Sequence, residues 1–346
     1  MCAAVTTELV IALDAMGGDR GPDTVVPAAV SVLESDARAR LVLVGLPEVL
    51  EEARKAHGGR FGDRLGFQAA AEVVAMSESP REALRRKKDS SMRVALDMIK
   101  AGDAAACVSA GNTGALMATA KFVLKTLPGI DRPAILAPVP SLSGQTFMLD
   151  LGANVGCDAD NLLQFACMGS VVAADLGGLA SPRVGLLNVG EEDIKGNDTV
   201  REASRMIAAS GLNYIGFVEG NTIFSGEVDV VVTDGFTGNV ALKTMEGVAQ
   251  LIARYMREEF SRSGLRRLQG LAAMPAINAL KHRLDPRGYN GASLVGLNGI
   301  VVKSHGSADS LAFANAVHVA LEEARKGVPV HITRMLESQK VTCIPA

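Results

Sequence analysis

The chain has 346 residues, 48% hydrophobic and 21% charged, a globular composition that excludes a disordered polymer. A formal net charge of −3, aromatics at 4% and no Trp supply neither the basic excess nor the stacking residues of a nucleic-acid surface, so no nucleic-acid partner is expected. At this length the chain can bury a substantial core as one large α/β domain or two smaller ones.

The first element is an apolar run, Leu9–Asp14, that ends in a carboxylate and breaks into Ala15-Met-Gly-Gly-Asp-Arg-Gly21. Pro22-Asp-Thr then opens a helical pattern to Leu33, with Pro in the first turn. Strand, glycine loop and helix N-terminus together make an anion cradle, or simply a tight connection between strand and helix. Arg40–Gly45 leads into a second helix, Pro47–His57, with acids early and bases late. Further apolar runs of strand length are Ala104–Ser109, Ala134–Val139, Phe147–Leu151, Val184–Asn188, Tyr214–Val218 and Val228–Thr233. Apolar strands alternating with helices predict a parallel sheet covered on both faces, with ligands at the carboxyl ends of strands. Four of those ends carry small polar loops: Ser109–Ala115, Asp150–Gly156, Asn188–Asn197 and Thr233–Asn239. Converging on one edge, they would form a polar pocket suited to an oxyanion.

From Val240 to about Leu284 the pattern is helical and predicts a hairpin of two helices away from the sheet, broken by a Gly and a Pro. Ile300–Lys303 reads as a last strand, and a helix follows from Ala308 to Lys326. The absence of a linker, low-complexity tract or repeat favours one domain, residues 1–346, with a helical excursion at about 240–285.

The familiar catalytic signatures are absent. The first loop does not fit G-x-G-x-x-G, and neither a P-loop nor a G-x-S-x-G elbow occurs. Cys2, Cys107, Cys157, Cys167 and Cys343 form no CxxC pair and no spacing suited to zinc, so no metal is expected and the thiols fit a reduced, cytoplasmic protein. Cys157 precedes a helix at Asp158–Ala174, but the acids beside it oppose a thiolate, and Cys107 reads as a packed core residue. No signal-peptide pattern opens the chain, and no apolar run reaches the ~18 residues of a membrane span.

Lysines, asparagines, aspartates and glycine amides remain, which suit displacement by phosphate through positioning and charge stabilisation. In Arg85-Arg-Lys-Lys-Asp-Ser-Ser91, Lys88 and Ser90 stand at a helix start where an anion could bind, against the alternative of a solvated helix end. Lys195 lies in a Lys-Gly-Asn loop and is either functional or merely exposed. Asp234 and Asn239 bracket a glycine loop; Asp234 is either a catalytic acid–base group or a helix cap. His305 is a candidate proton carrier, although lone histidines are more often structural.

Seven motifs occur in order: Asp14-Ala-Met-Gly-Gly-Asp19, Arg86-Lys-Lys-Asp-Ser-Ser-Met92, Ser109-Ala-Gly-Asn-Thr-Gly-Ala-Leu-Met117, Asp131-Arg-Pro133, Gly152-Ala-Asn154, Asp234-Gly-Phe-Thr-Gly-Asn239 and Lys303-Ser-His-Gly306. Together, from about Val10 to Ala324, they resemble the bacterial phosphate acyltransferases of the PlsX family. Arg20 stands where that family often has His, and Tyr289–Gly296 departs from the commoner Gly-Gly-Ala form.

The resemblance implies transfer of a long acyl chain from acyl-ACP to inorganic phosphate, without a cofactor, for phospholipid synthesis. It also implies a three-layer α/β/α sandwich with a mostly parallel, Rossmann-like sheet related to phosphotransacetylases. A homodimer and reversible attachment to the anionic inner face of the membrane are further implications. On that basis Asp14, Gly17, Gly18, Lys88, Ser90, Asn112, Thr113, Gly114 and Asn154 are expected to bind phosphate or support its pocket. Lys195, Asp234, Asn239 and His305 are the expected catalytic set. Leu265, Leu268, Leu271, Met274, Ile277 and Leu280, interleaved with Arg266, Arg267, Lys281 and Arg283, could meet lipid, or else form a dimer contact or a core stripe. A short-chain phosphotransacetylase and an idle membrane scaffold are the competing readings.

Overall fold

The computed structural model describes residues 9–342. Cys2 and Cys343, and the side chains of Leu280, Lys281 and Arg283, lie outside the described residues. Eleven strands join in one sheet: β1 (Val10–Asp14), β2 (Arg40–Gly45), β3 (Leu65–Ala69), β4 (Ala106–Ser109), β5 (Ala134–Ser141), β6 (Gly144–Leu149), β7 (Val184–Leu187), β8 (Tyr214–Val218), β9 (Val230–Val232), β10 (Ala292–Val295) and β11 (Ile300–Lys303). Their order is β3-β2-β1-β4-β11-β10-β5-β6-β9-β7-β8. The helices are α1 (Pro22–Ser35), α2 (Pro47–Ala53), α3 (Gly59–Phe61), α4 (Pro80–Arg86), α5 (Ser91–Ala101), α6 (Thr113–Leu124), α7 (Ala159–Gly177), α8 (Asp198–Ala209), α9 (Gly235–Ser261), α10 (Gly264–Leu284), α11 (Ser310–Lys326) and α12 (Val328–Thr342).

Strand alternation builds three layers. Ile11 and Leu13 of β1 face α1 and α11, meeting Val25, Phe313 and Val317. Ala12 between them faces the opposite layer, with Met92 and Leu96 of α5 and Leu116 of α6. Leu136, Leu149 and Val232 pack beneath Phe165 of α7 and Ile332 of α12. The expected sandwich with a mostly parallel sheet is present, and so is the helical hairpin, formed by α9 and α10. Pro275 does not break the hairpin; the break falls at Arg262-Ser263, and Pro275 lies inside α10.

The sheet differs from the expectation of a single loop-bearing edge. β1, β2, β3, β4 and β11 run parallel to one another, and so do β6, β7, β8 and β9. Between these sets, β10 is antiparallel to both β11 and β5, and β5 is antiparallel to β6. Three reversals turn the second set against the first. The loops after β1, β4 and β11 therefore leave at one edge, and those after β6, β7 and β9 at the other. One reversal has a plain cause: only Leu142 and Ser143 separate the Ser141–Gly144 pair, too few residues for a crossover.

Helix α9 bridges the two edges on one face. It starts after β9, and its Ala241, Leu242 and Met245 pack on the core that holds Cys107 and Val301. Its Lys243 acts electrostatically on Lys303 at the end of β11.

Candidate active site

At the first edge, three loops meet around a buried acid. Asp14 is 1% exposed; Ser91 Oγ donates to Oδ1 and Ser109 Oγ to Oδ2, each at 2.6 Å, and the Met16 N–H reaches Oδ1 at 3.3 Å. Burial pushes this carboxyl above its usual range, and the hydroxyl and amide donors oppose the rise. The loops touch so closely that side chains do not fit. A Cβ on Gly17 would lie 2.7 Å from both Asp14 Oδ2 and the Gly111 nitrogen. Gly18 has φ +91°, and a Cβ there would meet Ala110 Cβ at 2.9 Å and the Gly306 carbonyl at 3.0 Å. Backbone bonds lock the contact: the Asp19 N–H donates to Gly306 O at 2.8 Å, and the Ser304 N–H to Ser109 O at 2.9 Å.

Lys303 ends β11 inside this cluster, opposite Ser109 in register, and is 8% exposed. Its Nζ donates to Ala110 O at 3.3 Å and to Ser304 O. Burial lowers its pKa to about 8; Asp14 and Asp19 oppose that fall and Lys243 adds to it. Within Lys303-Ser-His-Gly306 the sequence alone marks no role for Lys303. The available signal was an ionisable residue closing an otherwise apolar strand.

The other residues expected here have mixed fates. Ser90 is buried, and its hydroxyl is committed: it caps α5 at the Arg93 N–H and donates to Lys87 O at 2.9 Å. Ser91, not Ser90, reaches the acid. Asn112 caps α6 through the Ala115 N–H at 2.9 Å, while its Nδ2 donates to Met76 O at 2.6 Å. Its side chain builds the loop, leaving the exposed Thr113 and Gly114 at the helix start. Lys88 is exposed. His305 is exposed and accepts from the Ser307 N–H at Nδ1, 3.2 Å away, so a neutral ring carries its proton on Nε2.

The second edge gathers loops from the neighbouring strands β6, β9 and β7. Buried Asp150 accepts from the N–H groups of Ile135, Ala153 and Asn154 and from Asn154 Nδ2. Asn154 Nδ2 also donates to Pro133 O at 2.8 Å, so Asn154 frames the loop. The first turn of α9 docks straight onto this loop: a Cβ on Gly235 would be 2.6 Å from Asn154 O, and one on Gly238 only 2.0 Å from Asp150 O. Asp234 caps α9, accepting from the Thr237 N–H at 2.9 Å and Thr237 Oγ1 at 2.7 Å. Asn239 is exposed and stands over Gly152, whose Cβ position lies 3.4 Å away. Lys195, on the loop after β7, is exposed, and its stem passes Gly190.

Residues 9–331 match the model of a family described as "Fatty acid synthesis protein". A phosphate acyltransferase from Methylococcus capsulatus is 61% identical over 322 residues, covering 93% of this chain and 95% of that protein. One from Alkalilimnicola ehrlichii is 59% identical over 334 residues, covering 96% and 98%. The chain belongs to the PlsX family of phosphate acyltransferases. Its fold is shared with the phosphotransacetylase EutD of Staphylococcus aureus (TM-score 0.60, 16% identity, 92% of this chain and 94% of that one). A phosphotransacetylase from Streptococcus pyogenes is similar to the same degree (TM-score 0.61, 16% identity, 92% and 95%).

As a PlsX-family enzyme the chain is a transferase, and its thiols bear on how the acyl group moves. Cys157 lies at the second edge, where burial, then Asp150, raise its pKa to about 11; Asp234 adds to the rise while the Gly235 N–H and Arg132 oppose it. The acids that oppose its ionisation are thus Asp150 and Asp234, rather than its sequence neighbours. Cys107 is also pushed well up, by burial within β4 and then by Asp14.

The hairpin of this PlsX-family chain presents apolar side chains outward. Leu268 is 65% and Leu271 67% exposed, with Leu265, Met274, Ile252 and Tyr255 also exposed and Ile277 half-buried. No helix among the described residues is long and apolar enough to cross a membrane.

Proposed function

We propose that this chain transfers a long-chain acyl group from the thioester of acyl carrier protein to inorganic phosphate, giving acyl phosphate for phospholipid synthesis. A phosphate oxygen attacks the carbonyl carbon, the tetrahedral oxyanion collapses, the C–S bond breaks and the carrier thiol departs as thiolate. That thiol has a pKa of about 8.5, so it needs little acid help. Lys195 and Asn239 stabilise the oxyanion, and Asp234 orients Lys195 or receives a proton from phosphate. The glycine loops around Asp14 hold a phosphate group, and His305 supports them. The whole chain acts as one catalytic unit.

What supports direct attack is the setting of Cys157: burial and the nearby Asp150 and Asp234 raise its pKa to about 11 and so disfavour the thiolate that would take the acyl group. Mass spectrometry of enzyme incubated with palmitoyl-ACP in the absence of phosphate is expected to show no acyl adduct. A stoichiometric acyl-enzyme that phosphate then discharges would overturn direct attack.

The hairpin is proposed to serve a homodimer and reversible contact with an anionic membrane at the cytoplasmic face. Its exposed leucines lie beside Arg266 and Arg267, an arrangement that suits apolar insertion among acidic head groups. The double variant Leu268→Glu, Leu271→Glu is expected to stay folded, because both side chains are already exposed, and to stop floating with vesicles rich in phosphatidylglycerol. Unchanged flotation together with loss of the dimer would assign the face to the subunit interface alone.

A further inference from the structure

Among the described residues, Lys303 is a buried cation with no carboxylate at ion-pair distance, although Asp14 and Asp19 act on it through space. An ammonium carries three donors, and two are committed to the carbonyls of Ala110 and Ser304. Asp14 favours the ammonium form through space, while its two oxygens take the hydroxyls of Ser91 and Ser109. The cation sits where the three glycine loops close together. The Ala110 carbonyl that it holds lies 3.7 Å from the Cβ position of Gly18 and 3.8 Å from that of Gly306. The Gly17 N–H is committed to Asp14 O at 3.4 Å and the Gly111 N–H to Ser109 Oγ at 3.1 Å, so what suits a phosphate group here is the third donor of the buried cation beside the glycine turns at Gly18 and Gly306.

We propose that Lys303, with the turns at Gly18 and Gly306, binds a phosphate group: inorganic phosphate itself, or the phosphodiester through which the carrier protein bears its thioester arm. The proposal rests on the acyl-transfer reading above and adds to it a ligand for the first edge. The charged groups acting on Lys303 are Asp14 from β1, Asp19 from the loop after β1 and Lys243 from α9. Asp14 and Asp19 favour its ammonium form, while burial and Lys243 disfavour it. Near neutral pH the pKa of about 8 keeps the ammonium form in the majority.

The test compares the full-length wild type with Lys303→Met, titrating inorganic phosphate and palmitoyl-ACP separately. Loss of one charge-assisted hydrogen bond is expected to raise one of the two KM values by roughly 10- to 100-fold. A rise for phosphate alone identifies inorganic phosphate as the ligand. A rise for palmitoyl-ACP alone identifies the phosphodiester. A folded variant with both KM values unchanged overturns the proposal, even if kcat falls.

Should the variant not fold, the wild type decides through its pH profile. Deprotonation of Lys303 is expected to raise the affected KM about tenfold or more between pH 7 and pH 9.5, since only the ammonium form is competent. A KM for each substrate that is flat over that range overturns the proposal. If the wild type makes no acyl phosphate at all, the reaction reading fails first, and calorimetry with inorganic phosphate judges the site. Binding weakened by Lys303→Met would then support the site, and equal binding or none would overturn it.

Discussion

Lys195→Ala is expected to lower turnover by about 10²- to 10³-fold, the usual cost of removing one stabiliser of a developing oxyanion. The melting temperature should stay close to that of the wild type. Lys195 is exposed on the loop after β7, its ammonium makes no ion pair among the described residues, and only its stem lies against Gly190. Folding therefore gains little from the side chain. Lys195→Arg should recover part of the rate, since it keeps the charge with a different shape. Initial rates with both variants beside thermal melts check this. A large fall in melting temperature with Lys195→Ala would make the residue structural.

The largest expected effect on stability comes from Gly238→Ala. A methyl group there would stand 2.0 Å from the Asp150 carbonyl oxygen, a backbone atom in a loop that is itself fixed by the buried Asp150 carboxylate. Neither partner can yield cheaply, so α9 must lift from the loop. The expected destabilisation is about 2 kcal/mol or more, at the upper end of overpacking. Activity should fall with it, because Asp234 and Asn239 ride on the same first turn. Gly247→Ala supplies the internal control. It lies in the same helix with nothing within 4 Å of its Cβ position, and should stabilise by about 0.5–1 kcal/mol through helix propensity. Denaturant melts of the two variants check the contrast, and similar behaviour of both would contradict the docking geometry.

These contacts explain which parts of the molecule could be read from the chain. Helix α1, with Pro22 in its first turn, and the strands Arg40–Gly45 and Tyr214–Val218 stand where apolar runs and local signals predicted them, because local chemistry decides such elements. β3 and β10 were not predicted. β3 reads Leu-Gly-Phe-Gln-Ala with two exposed residues, and β10 is only four residues of Ala-Ser-Leu-Val. Missing β10 concealed two of the three reversals that separate the loop-bearing edges. The third was legible in the two-residue turn at Leu142-Ser143, but apolar composition alone does not distinguish a hairpin from a crossover.

The site shows the same division between local and tertiary information. Glycine loops and strand ends were visible as motifs, and the Asp14 cluster formed around them. Side chains that look equivalent in sequence part company once neighbours are in place. Ser90 turns back to cap its own helix while Ser91 reaches Asp14, some 77 positions away in sequence. Asn112 and Asn154 carry motif positions, yet the side-chain amide of each donates to a backbone carbonyl of another loop, Met76 O and Pro133 O. No role for Lys303 is legible in the chain because its burial is tertiary and the Ala110 carbonyl that it meets lies 193 positions away.

The proposed reaction passes the acyl group from a carrier-bound thioester to phosphate. Its most direct test is acyl-phosphate formation by purified enzyme with palmitoyl-ACP and inorganic phosphate, beside palmitoyl-CoA and acetyl-CoA. Phosphate-dependent product from palmitoyl-ACP, exceeding that from acetyl-CoA, is the predicted result. Product from acetyl-CoA alone, or none from folded protein, would contradict it.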